Sequence, residues 1–328
     1  MKTLDGEAMS KVSIIMNCYN GAQYLREAID SVYAQDYQDW EIIFWDNQST
    51  DDSAKIAQSY DSRIKYFKSE IFDTLGIARN KAVGKAAGKY LAFLDCDDLW
   101  LPKKLSLQLP LFDNDTVLVY SNYVAKNMLI DLDYVVHSPK KNFYRGDVTR
   151  RLCKNNFIGF QTAIINIEFL RKLDEVFDEQ LIYAPDYDLF LRLSFLGKFN
   201  YVPNTLAVYR KHESNFSNSR RHIVVHDLAY LLAKYKKIID RRSLKGLAQN
   251  YTSCFKNDLR AAGFRLLPAF LNLGFHPRKI LISIIFILFT EKQVYTIKDK
   301  LKSWGVFNFF IRLLYGIKPT EKGSSSHV

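Results

Sequence analysis

After MKTLDGEAMSK the chain turns apolar over Val12 to Met16 (VSIIM), then breaks into the polar loop Asn17 to Gly21 (NCYNG). A short apolar run bounded by turn residues predicts a buried strand. From Ala22 to Gln35 the apolar positions change period, with Leu25, Ala28, Ile29 and Val32 sharing one face of a predicted helix. Glu41 to Trp45 (EIIFW) is a second strand. It ends in Asp46, Asn47 and Gln48, then Ser49, Thr50 and Asp51, whose oxygens can cap a following helix. A third strand, Ile64 to Phe67, precedes a helix over about Leu75 to Ala87 that carries Arg79 and Asn80. The fourth run, Tyr90 to Leu94, stops abruptly in Asp95, Asp97 and Asp98, with a helix starting at Pro102. Such βα repetition predicts an α/β fold with a mostly parallel sheet flanked by helices. Its polar loops then gather on one edge, where ligands bind in open sheets.

Further along, Val117 to Tyr120 reads as a strand, whereas about 122–156 has too weak a periodicity to assign. Phe157 to Ile165 is a candidate strand, followed by a short helix to Leu173. Within Leu181 to Leu196 (LIYAPDYDLFLRLSFL), Asp186 and Asp188 open a helix whose Leu189, Leu193 and Leu196 share a face. Thr205 to Tyr209 is the last predicted strand and leads into Arg210, Lys211 and His212.

A chain of 328 residues has room for an α/β domain of about 200 to 250 residues and an appendage. The net charge of +11 is unevenly placed. From Arg220 to Val328, 20 Lys and Arg face 6 Asp and Glu, a balance of +14; residues 1–219 carry −3. Cys18, Cys96, Cys153 and Cys254 form no C-x-x-C pair or zinc spacing and read as reduced thiols of a cytoplasmic protein. The N-terminus lacks the apolar core of a secretory signal, and no apolar run reaches the ~18 to 20 residues of a membrane span. In the basic tail, Leu266 to Phe275, Ile280 to Phe289 (ILISIIFILF) and Val306 to Tyr315 are apolar and aromatic-rich. These segments predict a helical, basic extension in peripheral contact with an anionic membrane at its inner face, or else helices packed on the preceding domain.

Carboxylates clustered where a central strand leaves the sheet are hard oxygen ligands of the type that Mg²⁺ or Mn²⁺ takes alongside phosphates. The alternative is a solvated acidic turn with Asp98 at a helix start. No G-x-G-x-x-G follows the first strand and no G-x-x-x-x-G-K-[ST] occurs, which excludes the common dinucleotide and P-loop fingerprints.

Five stretches together resemble family 2 glycosyltransferases of the GT-A fold. In order they are VSIIMNCYNGAQYLREAIDSVYAQDYQDWEII, DNQSTDDS, ARNKAVGKAAGKYLAFLDCDDLW, FDEQLIYAPDYDLFLRL and YRKH, covering about Val12 to Asn215. The resemblance implies a Rossmann-like GT-A domain over 1–218. Its nucleotide-sugar half is about 11–121 and its acceptor half about 122–218, with the extension over 219–328. It implies a non-processive, metal-dependent inverting transferase of polysaccharide biosynthesis, since no Q-x-x-R-W is present. A nucleotide-sugar donor and a glycan or lipid-linked acceptor would be its partners, with no nucleic acid.

By the same resemblance Asp97 matches the main metal-binding acid and Asp95 the acid that approaches the ribose or metal. Asn17, Tyr19 and Asn47 fall where the nucleobase and ribose are held, Arg79 at a frequent donor contact, and Asp46 is expected among the cofactor-binding residues. Asp186 matches the acceptor-activating base, and His212 a position that can hold the diphosphate or metal. Asn47 stands where the family often has a second Asp; its amide oxygen can still accept from the N3–H of uracil or thymine, favouring a UDP- or dTDP-sugar. Pro185 replaces the acid that usually precedes the base and removes one negative neighbour. Structural readings stand beside these: Asp186 as a helix-capping acid, His212 as a surface histidine, Tyr19 and Trp100 as core aromatics. A sugar nucleotidyltransferase would carry a Gly-rich phosphate loop after the first strand, which NCYNGAQ is not. A nucleic-acid-binding module using the basic tail would leave the acid loops unexplained.

Overall fold

In the computed structural model of the chain, residues 11–128, 132–135, 143–215 and 224–254 are described. Two compact units divide at Ile223 and Val224. The first is built on a nine-stranded sheet in the order β3-β2-β1-β4-β8-β6-β9-β5, with β7 beside β6. Its predicted parallel half is β1 (Val12–Cys18), β2 (Trp40–Asp46), β3 (Ile64–Lys68) and β4 (Tyr90–Phe93). All pairings among these four are parallel, so their C-terminal ends share an edge. Helices α1 (Ala22–Tyr33), α2 (Ser53–Gln58) and α3 (Leu75–Val83) make the crossovers. Leu25, Ala28, Ile29 and Val32 of α1 are all buried and join Val12, Ile14, Ile42 and Phe44 in one core, as the helical period requires.

Beyond β4 the sheet is mixed. The stretch over 116–135, largely unassigned from periodicity, holds β6 (Thr116–Asn127), with β7 (Leu132–Val135) antiparallel to it. Phe157 to Ile165, expected as one strand, contains a 3₁₀ turn at Phe160–Thr162, and only β8 (Ile164–Asn166) is extended. It runs antiparallel between β4 and β6. The last strand, β9 (Lys198–Lys211), is far longer than its apolar core Thr205 to Tyr209. It runs parallel to β6 and antiparallel to the two-residue β5 (Leu99–Trp100), with Leu99 opposite Val208. That short pairing has a functional consequence, because it sets the end of the Asp95–Asp98 turn against Arg210 to His212. Remaining helices of this unit are α4 (Lys104–Gln108), α5 (Thr149–Leu152), α6 (Ile167–Leu170) and α7 (Pro185–Ser194).

A buried carboxylate fastens the parallel half. Glu41 accepts from Ser13 Oγ at 2.7 Å and from Ala87 N at 3.0 Å, and pairs with Lys65 at 2.6 Å and Lys11 at 2.9 Å. Burial alone would raise its pKa, but these donors outweigh it and hold the carboxyl at about 2. Its stabilisation is therefore fully present above the ordinary carboxylate range and disappears only as pH falls through about 2.

The second unit contains α8 (Val224–Tyr235) and α9 (Arg241–Cys254), with Leu231, Leu232, Leu244 and Leu247 buried. Among the described residues no helix is long and apolar enough to cross a membrane. The segments Leu266–Phe275, Ile280–Phe289 and Val306–Tyr315 lie outside the described residues.

Candidate active site

The site is assembled at the common edge of β1, β2 and β4. On the β4 side, Asp95 pairs with Arg79 of α3 at 2.9 Å. The Arg79 side chain is only 7% exposed, so it is a fixed part of the wall. Its guanidinium lies over the rings of Phe160, at 4.1 Å, and Phe177, at 5.6 Å. Asn80 completes the fixture by exchanging two 2.8 Å hydrogen bonds with the backbone of Phe177. Arg79 thus holds Asp95 and positions the site, rather than reaching freely toward a ligand.

The Asp95 side chain is 40% exposed. The surrounding protein raises its pKa, Arg79 opposes the rise and nearby Asp97 adds to it. Asp97 is held from β9 and the residues after it. Its Oδ2 lies 3.1 Å from His212 Nε2 and accepts from Asn215 Nδ2 at 3.1 Å, while Arg210 Nε donates to its backbone carbonyl. Arg210 is itself anchored by Glu27 at 2.6 Å, and its backbone N–H donates to Asp98 at 3.0 Å. Asp98 is buried, and burial together with Asp97 and Asp95 pushes its carboxyl well up. It braces the turn from within.

Asp186 occupies the first turn of α7, immediately after Pro185, whose fixed φ suits the first helical position. Loss of the usual acidic neighbour has not left the carboxyl unperturbed. Burial raises its pKa, Arg79 and the backbone N–H groups of Tyr187 and Asp186 oppose the rise, and Asp95 adds to it. Asp188 differs in kind, being fully buried and ion-paired to Arg192 at 2.7 Å.

On the β1–β2 side the loops are stitched together. Asn20, at φ 53°, accepts from Thr50 N at 2.8 Å, and Asp51 accepts from Ala22 N at 2.9 Å. Asp46, expected among the donor contacts, is fully buried. Its oxygens accept from Ser49 N at 2.7 Å and Tyr66 OH at 2.6 Å, so it shapes the loop from inside. Asn47 spans to Asp73, accepting from its N–H and donating to its carbonyl at 3.0 Å each. These two bonds leave one lone pair of its amide oxygen and one amide N–H. Asn17 Nδ2 is buried without a hydrogen-bond partner among the described residues, a donor awaiting an acceptor.

Trp100 is core, donating to Gln161 O at 3.0 Å. Tyr19 is not: it is 52% exposed and meets Phe72, 58% exposed, edge-on at 4.8 Å. Phe72, Asn215 and the Phe160–Phe177 bed escaped the sequence reading. An exposed Phe in a polar loop was the one signal that could have marked Phe72.

The Glycosyl transferase family 2 model matches residues 13–173. A stretch of 185 residues is 34% identical to the UDP-Glc:alpha-D-GlcNAc-diphosphoundecaprenol beta-1,3-glucosyltransferase WfgD of Escherichia coli, covering 56% of this chain and 69% of that one. The chain spans 66% and 69% of the length of two of its curated relatives, and 27% and 35% of two others. In fold it is similar to residues 1–349 of S. aureus TarS in complex with UDP-GlcNAc, with TM-score 0.65, 19% identity, and 80% and 79% of the two chains covered. It is also similar to the mannosyltransferase PcManGT of Pyrobaculum calidifontis in complex with GDP-Man and Mn²⁺, with TM-score 0.60, 16% identity, and 94% and 87% covered.

Proposed function

The chain belongs to glycosyl transferase family 2, and on that premise we propose that it moves a sugar from a nucleoside diphosphate donor to a hydroxyl of a glycan or lipid-linked acceptor by a single inverting displacement. One observation carries the reading. At a single sheet edge the solvent-facing carboxylate of Asp95, paired with Arg79 at 2.9 Å, stands two residues from Asp97, whose carboxylate lies 3.1 Å from His212 Nε2 and accepts from Asn215. Donor names among the similar proteins, UDP-Glc for WfgD and UDP-GlcNAc for TarS, support a UDP-sugar. The GDP-Man of PcManGT keeps the nucleotide an experimental question.

The residues present fit a divalent cation. Asp97 and Asp95 offer carboxylate oxygens, and His212 brings a ring nitrogen to 3.1 Å from Asp97. Among the described residues no three His, Cys, Asp or Glu close into a ligand cluster, so water and donor phosphate would have to complete the coordination of Mg²⁺ or Mn²⁺. Bound there, the ion would neutralise charge developing on the departing diphosphate. Asp186 takes the proton of the acceptor hydroxyl as its oxygen bonds to the anomeric carbon. The bond from that carbon to the phosphate oxygen breaks on the opposite face, its electron pair leaving with the nucleoside diphosphate, and the configuration inverts. Asn17, Tyr19 and Phe72 are the groups that would meet the nucleoside.

A thermal-shift panel of UDP-, dTDP- and GDP-sugars, with and without Mn²⁺, tests this. One nucleotide class is expected to stabilise the protein only with the metal, by about 2.7 kcal/mol at a hundredfold excess over Kd. Stabilisation by none of them overturns the reading.

We further propose that the basic tail holds the enzyme at the inner face of an anionic membrane, where a lipid-linked acceptor is presented. The +14 balance from Arg220 onward supports this, each basic residue near such a surface being worth about 1 kcal/mol at low salt. Full-length protein should co-sediment with anionic liposomes, less so at high salt, and truncation after Arg220 should abolish it. Failure to sediment at low salt removes the membrane from the proposal.

A further inference from the structure

Two thiols meet directly beneath the acid turn. Cys18 ends β1, and Cys96 stands between Asp95 and Asp97. Gly21, at the start of α1, shows how close the sulfurs lie. A Cβ there would stand 2.6 Å from Cys96 Sγ and 2.9 Å from Cys18 Sγ, so both sulfurs crowd one point and face each other across it. Cys18 is buried while Cys96 is partly exposed, which gives the pair one entry for a small oxidant. Nothing in the transfer reaction uses either sulfur.

We propose that Cys18 and Cys96 form a reversible dithiol–disulfide site, oxidised by peroxide, that disables the acid turn when closed. One sulfur attacks the peroxide O–O bond and becomes a sulfenic acid, the thiol proton leaving with the released hydroxide as water. The other sulfur then displaces the sulfenic oxygen as a second water, and the S–S bond forms. Two thiols and one peroxide thus give one disulfide and two waters. The sulfurs of two free thiols are farther apart than the ~2.05 Å of a disulfide, so closure draws Cys96 toward β1. Asp95 and Asp97 are bonded to Cys96 on either side and must follow it. A displacement of about 1 Å at a reacting centre costs on the order of 10²-fold in rate.

This control of transfer rests on the function proposed above, but the cross-link is read without any assay of activity. Full-length protein is treated with hydrogen peroxide, blocked with an alkylating reagent, digested with trypsin and mapped by mass. The expected product joins Val12–Arg26 to Tyr90–Lys103, is cleaved by dithiothreitol, and is absent from Cys18→Ser and Cys96→Ser. In parallel, donor-dependent thermal stabilisation and transfer should fall at least ~10-fold in oxidised wild type, recover on reduction, and resist peroxide in both variants. No cross-link, or one through Cys153 or Cys254, overturns the site. A mapped Cys18–Cys96 bond with undiminished donor binding and transfer overturns its control of the acid turn, as does equal peroxide sensitivity in Cys18→Ser.

Discussion

Replacing Asp186 with Asn is expected to leave donor binding intact and slow transfer by ~10² to 10⁴, the usual worth of a general base. The amide keeps the shape of the carboxyl at the first turn of α7, so the fold should hold, but it has no lone pair basic enough to take a hydroxyl proton. A pH profile separates this role from a structural one. Burial raises the pKa of Asp186 and Asp95 adds to the rise, against the opposing charge of Arg79. A carboxyl with a raised pKa takes up its proton at a higher pH than a free Asp, and the protonated acid cannot act as base. The acid limb of kcat/KM should therefore lie above the ordinary Asp range of about 4, with rate falling as pH falls through it. That limb should vanish in Asp186→Asn. Wild-type turnover by the variant would put the base elsewhere.

The parallel half of the sheet was legible because each of its strands is a run of apolar residues closed by polar ones, and α1 keeps a clean helical period. Legibility failed where pairing, not composition, decides the structure. Tyr123 to Asn127 are extended because β9 runs beside them, whereas Phe160 to Thr162 wind into a 3₁₀ turn within an apolar run. The site divided in the same way. Asp95, Asp97, Asp186 and His212 stand out by position, being polar residues at ends of elements. Asp46 and Arg79 stood out too, yet their partners lie 20 and 16 residues away, in Tyr66 and Asp95. Spacing along the chain could not reveal that one is an internal brace and the other a clamp. Phe72 and Asn215 act through residues distant in sequence, Tyr19 and Asp97, and no local pattern marks such contacts.

Asp97→Ala is expected to abolish Mn²⁺-dependent stabilisation by the donor nucleotide and to reduce transfer by at least ~10³-fold, about 4 kcal/mol, the scale on which a metal stabilises transition-state charge. The substitution should be readable as a ligand loss because the turn does not hang on this side chain. Arg210 still donates to the backbone carbonyl of residue 97 and to Asp98, and Glu27 still anchors Arg210. Thermal stability without ligand should change little, the Asp97 side chain being 24% exposed and leaving no closed cavity. His212→Ala provides the comparison. If His212 chiefly orients Asp97, its loss should weaken Mn²⁺-dependent donor binding by a factor nearer 10 to 100, as for groups that orient a ligand; a loss as deep as that of Asp97→Ala would mark it as a direct ligand. An Asp97→Ala protein that keeps full Mn²⁺-dependent donor affinity would remove the metal from this turn and leave Asp97 as a partner of His212 and Asn215 alone.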